Sequence, residues 1–173
     1  MLSKKAKYGL RALLLLMRDQ KRGPVLIGEI SDRERIPKKF LESILLELKH
    51  RGVVQSRKGR GGGYFLLRPP NQITVGEVLR ILDGPLALVP CVSQTAYVPC
   101  PECVDEHTCA VRLAMKEVRD ATAAILDGTT LAAINDGASV DLTTRKIEQR
   151  RHVGGQLDCA DRIRESALNA GEA

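Results

Sequence analysis

The sequence predicts a mainly α-helical fold that contains one small β-hairpin. Among its 173 residues there is no tryptophan and there are only five Phe and Tyr, so Leu, Ile, Val and Ala must supply most of the core. Such a core favours helices that pack through aliphatic stripes over a β-sandwich. Apolar residues recur at helical spacing in five segments, and two short β-prone runs flank a glycine-rich turn.

Charge is distributed unevenly along the chain. Residues 1–70 carry 17 Lys and Arg against 6 Asp and Glu, a net charge of +11, whereas residues 71–173 carry 10 against 15, a net charge of −5. A basic half is typical of proteins that bind nucleic acid or an anionic membrane, although a lysine-coated soluble surface gives the same balance. The apolar run at 13–17 is too short for a signal peptide or a membrane span, and no helix pairs a basic face with aromatic anchors. We therefore expect a cytoplasmic protein without membrane association.

The basic half begins with three predicted helices. The first spans residues 3–20 and has one apolar stripe, formed by Leu10, Leu13, Leu14 and Met17. A second, short helix spans about residues 27–33, and Pro37 then breaks the pattern because proline disfavours helix in the residue before it. The third helix begins at or after Pro37 and ends at about Arg51, where Gly52 supplies a C-cap.

The third helix has a buried and an exposed side. Its predicted buried stripe comprises Phe40, Leu41, Ile44, Leu45 and Leu48. The side chains left outside, near its N-terminus, are Lys38, Lys39, Glu42 and Ser43. A short helix, a tight turn and a longer helix with polar residues at its start form the helix-turn-helix layout.

A hairpin, or wing, follows the third helix. Residues 53–56 and 64–67 are β-prone, and the turn between them contains four glycines, which adopt positive φ at no steric cost. The same turn carries Arg57, Lys58 and Arg60, which suit the minor groove of duplex DNA because its negative potential attracts arginine. An exposed charged turn without a ligand is the alternative.

The second half contains two more predicted helices. One spans residues 74–83 and begins with a capping box from Thr74 to Glu77, and a long one begins at about Glu106 with Gly128 as its C-cap. The apolar stripe of the long helix comprises Val111, Met115, Val118, Ala121, Ile125 and Leu126. The chain thus divides into a winged helix-turn-helix domain (1–84), a cysteine-rich loop (85–105), a long-helix region (106–134) and a mobile tail (135–173).

Two groups of residues outside the wing are candidates for DNA binding. Duplex DNA is recognised through neutralised phosphates and through side chains that enter a groove. The polar residues at the start of the third helix lie where recognition helices meet bases, and Glu42 among them can accept from a cytosine amino group or remain solvated. The N-terminus of the first helix can hold phosphates, since helix N-termini favour anions. Its candidates are Ser3, Lys4, Lys5 and Tyr8, the last of which is equally suited to the core.

Four of the five cysteines fall within nineteen residues. They are Cys91, Cys100, Cys103 and Cys109, with His107 inside the last interval. Thiolates bind iron–sulfur clusters and zinc, and four thiols in one loop that ends at a helix start can converge on a single site. Reduced thiols without a ligand are the alternative, and we expect that role for Cys159 in the tail.

Several motifs resemble those of the IscR/NsrR/RirA group of bacterial winged-helix regulators, the Rrf2 superfamily. They are LSKKAKYGLRA at 2–12, GRGGGYFL at 59–66, ITVGEV at 73–78, LDGP at 82–85 and AILDGTTL at 124–131. The resemblance covers residues 1–134 and implies a homodimeric repressor or activator of transcription. It also implies that the long helix is the dimerisation helix and that Glu42 stands where some members use a glutamate in base discrimination.

The resemblance further implies an iron–sulfur cluster bound by three cysteines, for which Cys91, Cys103 and Cys109 fit best. Cys100 is then an addition that is either the fourth ligand or a replacement for Cys103. In one branch the fourth ligand is a histidine, at the position that Arg112 holds here, and in others it is an acidic residue of the partner's first helix, where this chain offers Ala6, Lys7 and Tyr8. The fourth ligand remains open between Cys100, His107 and a group outside the loop. The bound group remains open between a 2Fe–2S cluster, a 4Fe–4S cluster and, as the alternative, zinc.

These observations predict a homodimeric DNA-binding regulator that senses iron, redox state or nitric oxide through a cluster. Two-fold symmetry predicts a roughly palindromic operator in double-stranded DNA. A winged-helix regulator with structural zinc and no sensing is the alternative. We do not expect an enzyme, because a nucleophilic thiol needs a base held against it and the sequence shows no oxyanion motif or phosphate-binding loop.

Overall fold

Six helices and one two-stranded hairpin make up residues 2–137, the part of the chain that this computed structural model describes. The helices are α1 (Lys4–Arg18), α2 (Ile27–Glu34), α3 (Lys38–His50), α4 (Val75–Leu82), α5 (Ala110–Asp127) and α6 (Leu131–Asn135). The antiparallel strands are β1 (Val54–Arg57) and β2 (Gly63–Leu66), and 3-10 turns lie at Gln20–Arg22, Pro70–Gln72 and Pro90–Val92. The predicted mainly helical fold with a small hairpin is confirmed. From position 138 onward the predicted tail, with Cys159, lies outside the described residues.

The core is aliphatic, and α1, α3 and α4 build most of it. Its fully buried side chains include those of Leu13, Leu16, Ile44, Leu45 and Leu48. Burial of each such side chain contributes about 1.5–3 kcal/mol to folding. α1 and α4 approach closely at Gly9, where a Cβ would overlap the side chain of Leu82. This packing holds α3 by its apolar face and leaves its polar face in solvent.

The turn between α2 and α3 is held by local bonds. Arg35 adopts a left-handed conformation with φ 51°, and the Ser31 hydroxyl donates to the carbonyl of the buried Ile36 at 2.6 Å. Pro37 stands at the N-cap of α3, where it neither removes a helical hydrogen bond nor meets a preceding turn. The predicted helix-turn-helix is therefore present, and it directs the first turns of α3 outward.

Phe40 departs from the predicted buried stripe of α3. Its side chain is 38% exposed and meets the ring of Tyr8 edge-on, with the ring centroids 5.8 Å apart and the planes at 79°. At 100° per residue, position 40 lies about 90° from the mean direction of the four buried residues of the stripe. Phe40 therefore packs at the edge of the apolar face, against α1, and not in the core.

The wing is attached to the rest of the fold by a second strand pairing. β1 and β2 are each shifted by one residue towards the turn relative to the predicted strands. Val25, which precedes α2, exchanges two main-chain hydrogen bonds with Tyr64, at 2.9 and 2.8 Å. The approach is so close at Gly63, which has φ 146°, that a Cβ there would overlap the backbone of Val25.

Gly63→Ala is therefore expected to destabilise the protein and to displace the wing. The positive φ alone costs about 1–3 kcal/mol for a residue with a Cβ, and the overlap with Val25 adds to that cost. Chemical denaturation of the variant measures the loss. Gly59→Ala is the matched control, since Gly59 has φ 93° but open space around its Cβ position. Equal losses for the two variants would contradict the role of the Val25 contact.

α5 begins at Ala110, four residues later than predicted. The Asp105 carboxylate accepts hydrogen bonds from the His107 main-chain N–H and the Thr108 hydroxyl, both at 2.9 Å. These bonds lower the pKa of Asp105, the His107 bond contributing most, and they fold residues 105–108 into a turn that is not helical. Cys109 is consequently the N-cap of α5.

After α5 the chain returns to the winged-helix core. The Val75 N–H donates to the Thr129 carbonyl at 2.8 Å, and the Leu131 N–H donates to the Ile73 carbonyl at 3.0 Å. Leu131 is fully buried among the core side chains. The Thr129 carbonyl thereby accepts from a main-chain N–H at the start of α4. The predicted capping box satisfies only one other N–H there. The Thr74 hydroxyl accepts from the N–H of Glu77 as predicted, but the carboxylate of that glutamate binds Arg68 instead of turning back.

Candidate nucleic-acid interface and cysteine cavity

The start of α3 presents one exposed polar surface. It carries the four predicted residues Lys38, Lys39, Glu42 and Ser43. The Ser43 hydroxyl donates to the Phe40 carbonyl at 2.8 Å, which leaves the oxygen lone pairs directed outward as acceptors. The first turns of a recognition helix are the part that reaches base edges, so these residues are placed where base contacts form in helix-turn-helix proteins.

The wing carries the second basic surface. Lys58 and Arg60 are exposed at its tip, whereas the Arg57 guanidinium donates to the Gly61 carbonyl at 3.2 Å and so braces the turn. Lys49, which was not among the sequence candidates, donates to the Ser56 hydroxyl at 2.8 Å and links α3 to β1. Lys49 lies seven residues, or two turns, after Glu42 and therefore on the same face of α3. This spacing could have identified it from the sequence as part of the exposed face of α3.

The N-terminus of α1 already holds a carboxylate. Ser3 is the N-cap, and its side-chain oxygen accepts from the N–H of Ala6 at 3.0 Å. The Ser3 main-chain N–H donates to one Asp83 carboxylate oxygen at 3.1 Å, and the Ser3 hydroxyl donates to the other. Asp83 thus occupies the place where a phosphate would meet this helix end. A phosphate contact at Ser3 would have to displace that carboxylate.

The other three candidates on α1 differ in their surroundings. Lys4 is exposed, whereas the Lys5 ammonium lies 2.5 Å from a carboxylate oxygen of Glu47 on α3. A partly exposed ion pair of this kind contributes only about 0–1 kcal/mol, so a DNA phosphate can compete for Lys5. Tyr8 is half-buried and packs its ring against Phe40, which gives it a structural contact whether or not it meets DNA.

The four clustered cysteines line one open cavity of about 470 Å³. Cys91 is buried in the 3-10 turn Pro90–Val92, Cys100 and Cys103 lie in the loop that follows, and Cys109 caps α5. The remaining wall consists mainly of apolar side chains and prolines, with one cation, Arg112, and one carboxylate, Glu102. Residues that are up to eighteen positions apart in the sequence therefore line a single cavity.

The cysteine sulfurs interact with one another. The Cys103 thiol donates to the Cys109 sulfur, with the two Sγ atoms 3.5 Å apart. The hydrogen bond to Cys109 has the largest effect on the pKa of Cys103, and one to Cys100 has the next largest. Together they raise that pKa to about 12. The pKa of Cys109 is lowered instead, first by the nearby main-chain N–H of Arg112 in the opening turn of α5 and then by the Cys103 thiol. The helix N-terminus thus favours a thiolate at Cys109.

His107 is not part of the cavity wall. It belongs to the turn that Asp105 organises, outside the lining residues of the cavity, whereas Cys100 lies on the wall beside Cys103. Arg112 also stands on the wall, where its guanidinium donates to the main-chain carbonyls of Cys91 at 3.3 Å and Glu106 at 3.4 Å. Of the fourth-ligand candidates within the loop, Cys100 therefore lies beside Cys103 on the cavity wall, and His107 lies apart from it.

The donor set suits a thiophilic group. No three or more His, Cys, Asp or Glu side chains within residues 2–137 are arranged to hold a metal ion as they stand. Four cysteines nevertheless line one cavity, and its volume of about 470 Å³ greatly exceeds the roughly 10–15 Å³ that one water molecule needs by the same measure, so it has room for a multi-atom group. Soft thiolates select iron–sulfur clusters, zinc or Cu(I) over hard cations.

None of the helices in the described part of the chain has the length and hydropathy of a bilayer span.

Comparison with known proteins identifies close similarity over most of the chain. This chain is 43% identical over 134 residues to an Rrf2-like HTH-type transcriptional regulator of Rhodobacter capsulatus. The alignment covers 76% of this chain and 89% of that protein. Among solved structures, CymR, "the Global Cysteine Regulator of B. subtilis", has a TM-score of 0.66 at 29% identity, covering 80% of this chain and 98% of that one. The structure of T. potens IscR has a TM-score of 0.61 at 26% identity, covering 83% and 91%.

These similarities agree with the predicted fold and with the predicted absence of an enzymatic role, because the R. capsulatus protein and CymR are both named as regulators. Residues 2–137 also match the sequence profile of the Rrf2 family, which is described as "Iron-dependent Transcriptional regulator". The helix-turn-helix, the basic wing and the long helix after the cysteines all fall within the matched residues. The chain therefore belongs to the Rrf2 family of DNA-binding transcriptional regulators.

Proposed function

We propose that this protein is a homodimeric, cytoplasmic regulator whose affinity for its operator is set by an iron–sulfur cluster held by Cys91, Cys100, Cys103 and Cys109. The observation that carries the proposal is the meeting of these four thiols around one cavity at the N-terminus of α5. The cluster would supply a redox-active and oxygen-sensitive group whose gain, loss or oxidation changes the occupancy of that cavity.

A second copy of the chain is the proposed occupant of the exposed face of α5. Large apolar side chains that recur every seven residues on one face of this helix project into solvent, namely Val111 at 65%, Val118 at 43% and Ile125 at 36% exposure. An exposed apolar stripe on a helix marks an interaction surface, and closed two-fold dimers are the commonest soluble oligomers. Two α5 helices packed together would place two recognition helices on one side of the dimer.

The DNA would be bound through the two basic surfaces of each protomer. The start of α3 would enter the major groove, with Lys38, Lys39, Glu42 and Ser43 near base edges. The wing would reach the flanking minor groove with Lys58 and Arg60, while Lys4 and Lys5 are available to phosphates. A two-fold dimer docked in this way reads a roughly palindromic operator.

Arg60→Ala is expected to weaken operator binding and to lower the slope of log affinity against log salt by about one, because one cation that meets DNA is removed. Binding isotherms at several salt concentrations measure both quantities, on a duplex selected from a random-sequence library by the full-length protein. Lys116→Ala on α5 is the matched control, since it removes an exposed cation far along the chain from the winged helix. An unchanged slope for Arg60→Ala would contradict the placement of the wing on DNA.

Zinc is the second candidate for the cavity. Two sulfurs bound to one tetrahedral ion at about 2.3 Å lie roughly 3.8 Å apart, and the Cys103–Cys109 separation of 3.5 Å is close to that value. Anaerobic purification followed by an absorption spectrum and by iron, sulfide and zinc quantification distinguishes the two groups. Visible charge-transfer bands with matched iron and sulfide support the cluster. A colourless protein with one zinc per chain would contradict it.

A further inference from the structure

Two arginines of α5 hold the turn that carries Cys91. The Arg112 Nε donates to the Cys91 carbonyl at 3.3 Å, and the Arg119 Nη1 donates to the Val92 carbonyl at 2.8 Å. The two arginines are seven residues apart and therefore lie on one face of the helix, two turns from each other. Consecutive peptide carbonyls of the 3-10 turn are thus bound at successive positions along α5.

Arg119 is a mostly buried cation at the middle of α5. Its side chain is only 12% exposed, and its Nε is buried without a hydrogen-bond partner among residues 2–137. A buried cation with an unsatisfied donor costs folding free energy, and apolar replacements of such groups are often neutral or stabilising. Its Nη2 forms an ion pair with a carboxylate oxygen of the adjacent Asp120, 2.5 Å away, but that contact lies within α5 itself. The bond to Val92 joins Arg119 to another element, the 3-10 turn.

The opposite end of α5 is fixed to the winged-helix core. Arg80 of α4 makes two hydrogen bonds with the Asp127 carboxylate, at 2.5 and 2.8 Å. This pairing raises the pKa of Arg80 and lowers that of Asp127. Gly76 leaves the space for it, because a Cβ there would overlap the Asp127 carboxylate. α5 is therefore held by the cysteine turn towards one end and by α4 at the other.

We propose that Arg119, together with Arg112, is a positioning residue that transmits the occupancy of the cysteine cavity to α5. This inference rests on the proposed function of the cavity. Cys91 lines the cavity and its carbonyl accepts from Arg112, so a displacement of Cys91 moves an acceptor that α5 holds. A shift of α5 against α4 then alters the separation of the two recognition helices in a dimer, which changes operator affinity.

Arg119→Met tests this role, because it keeps the apolar stem and removes the donors. Arg119 does not line the cysteine cavity, so we expect unchanged iron and sulfide content and an unchanged dimer by size-exclusion chromatography. The informative quantity is the coupling ratio, which is the operator affinity of the cluster-loaded protein divided by that of the cluster-free protein in the same salt. We expect the ratio of the variant to move towards one by about tenfold, the effect of losing one charge-assisted hydrogen bond.

The controls separate this inference from the proposed function. Lys116→Met removes an exposed cation from the same helix and should keep the wild-type ratio. Arg119→Lys retains the charge and should recover part of it. A wild-type ratio of one would overturn the proposed function, whereas a wild-type ratio that persists in Arg119→Met would overturn only the role of the arginines. If Arg119→Met does not fold, the coupling ratio of Arg112→Met is measured in its place, at an iron content equal to that of the wild type. A ratio closer to one supports the role of the arginines, and a wild-type ratio overturns it.

Discussion

Cys103→Ser protein is expected to bind no iron–sulfur cluster, while it keeps the fold and the oligomeric state of the wild type. Cys103 contacts two of the other three thiols, with its Sγ 3.5 Å from that of Cys109, so its removal deprives the cavity of its central donor. A serine hydroxyl is a poor ligand for soft metals at neutral pH. Iron and sulfide quantification, the visible spectrum and circular dichroism of the anaerobically purified variant measure the outcome.

Cys159→Ser is the control for the loss of a thiol as such, because this cysteine lies outside the described residues and was predicted to have no ligand role. It should retain the full cofactor content. A Cys103→Ser protein that still holds a full cluster would show that the ligand set is wrong. Loss of the helical circular dichroism signal together with the iron would instead point to a folding role for Cys103, and would contradict the separation of fold and cofactor.

Leu131→Ala is expected to destabilise the protein by about 2–5 kcal/mol, the usual cost of truncating a fully buried leucine. Leu131 follows α5 in the chain but is completely buried in the core that α1, α3 and α4 build. Ile134→Ala on the same short helix is the matched control, since Ile134 is 37% exposed. Chemical denaturation of both variants measures the difference. Equal, small losses would contradict the docking of α6 onto the winged-helix core.

The parts of the fold that the sequence predicted depend on local chemistry. Pro37 and Gly52 limit α3 because proline and glycine restrict or release the backbone at their own positions, and the glycines of the wing act in the same way. Leu131 shows where such reasoning ends, because nothing in its neighbourhood indicates contact with residues near position 73. The same holds for Ser3 and Asp83, whose hydrogen bonds join positions eighty residues apart.

The candidate site divides in the same manner. The cysteine spacing predicted a shared site, and the exposed residues of α3 followed from helical periodicity. Spacing could not indicate that Cys100 lines the cavity and His107 does not, because the position of His107 depends on the turn in which its main-chain N–H donates to Asp105. The contact of Arg119 with Val92 joins positions twenty-seven residues apart and has no periodic signal either. Contacts of this range arise only when the elements pack.

The central claim is that occupancy of the cysteine cavity controls DNA binding. The most direct test is an anaerobic titration of one selected operator duplex with cluster-loaded and cluster-free wild-type protein, at the same salt concentration and with dimer content verified in both. Fluorescence anisotropy gives the two dissociation constants. We expect the two dissociation constants to differ by about tenfold or more, within the usual range of coupling between two sites. Equal dissociation constants for the two forms would contradict it.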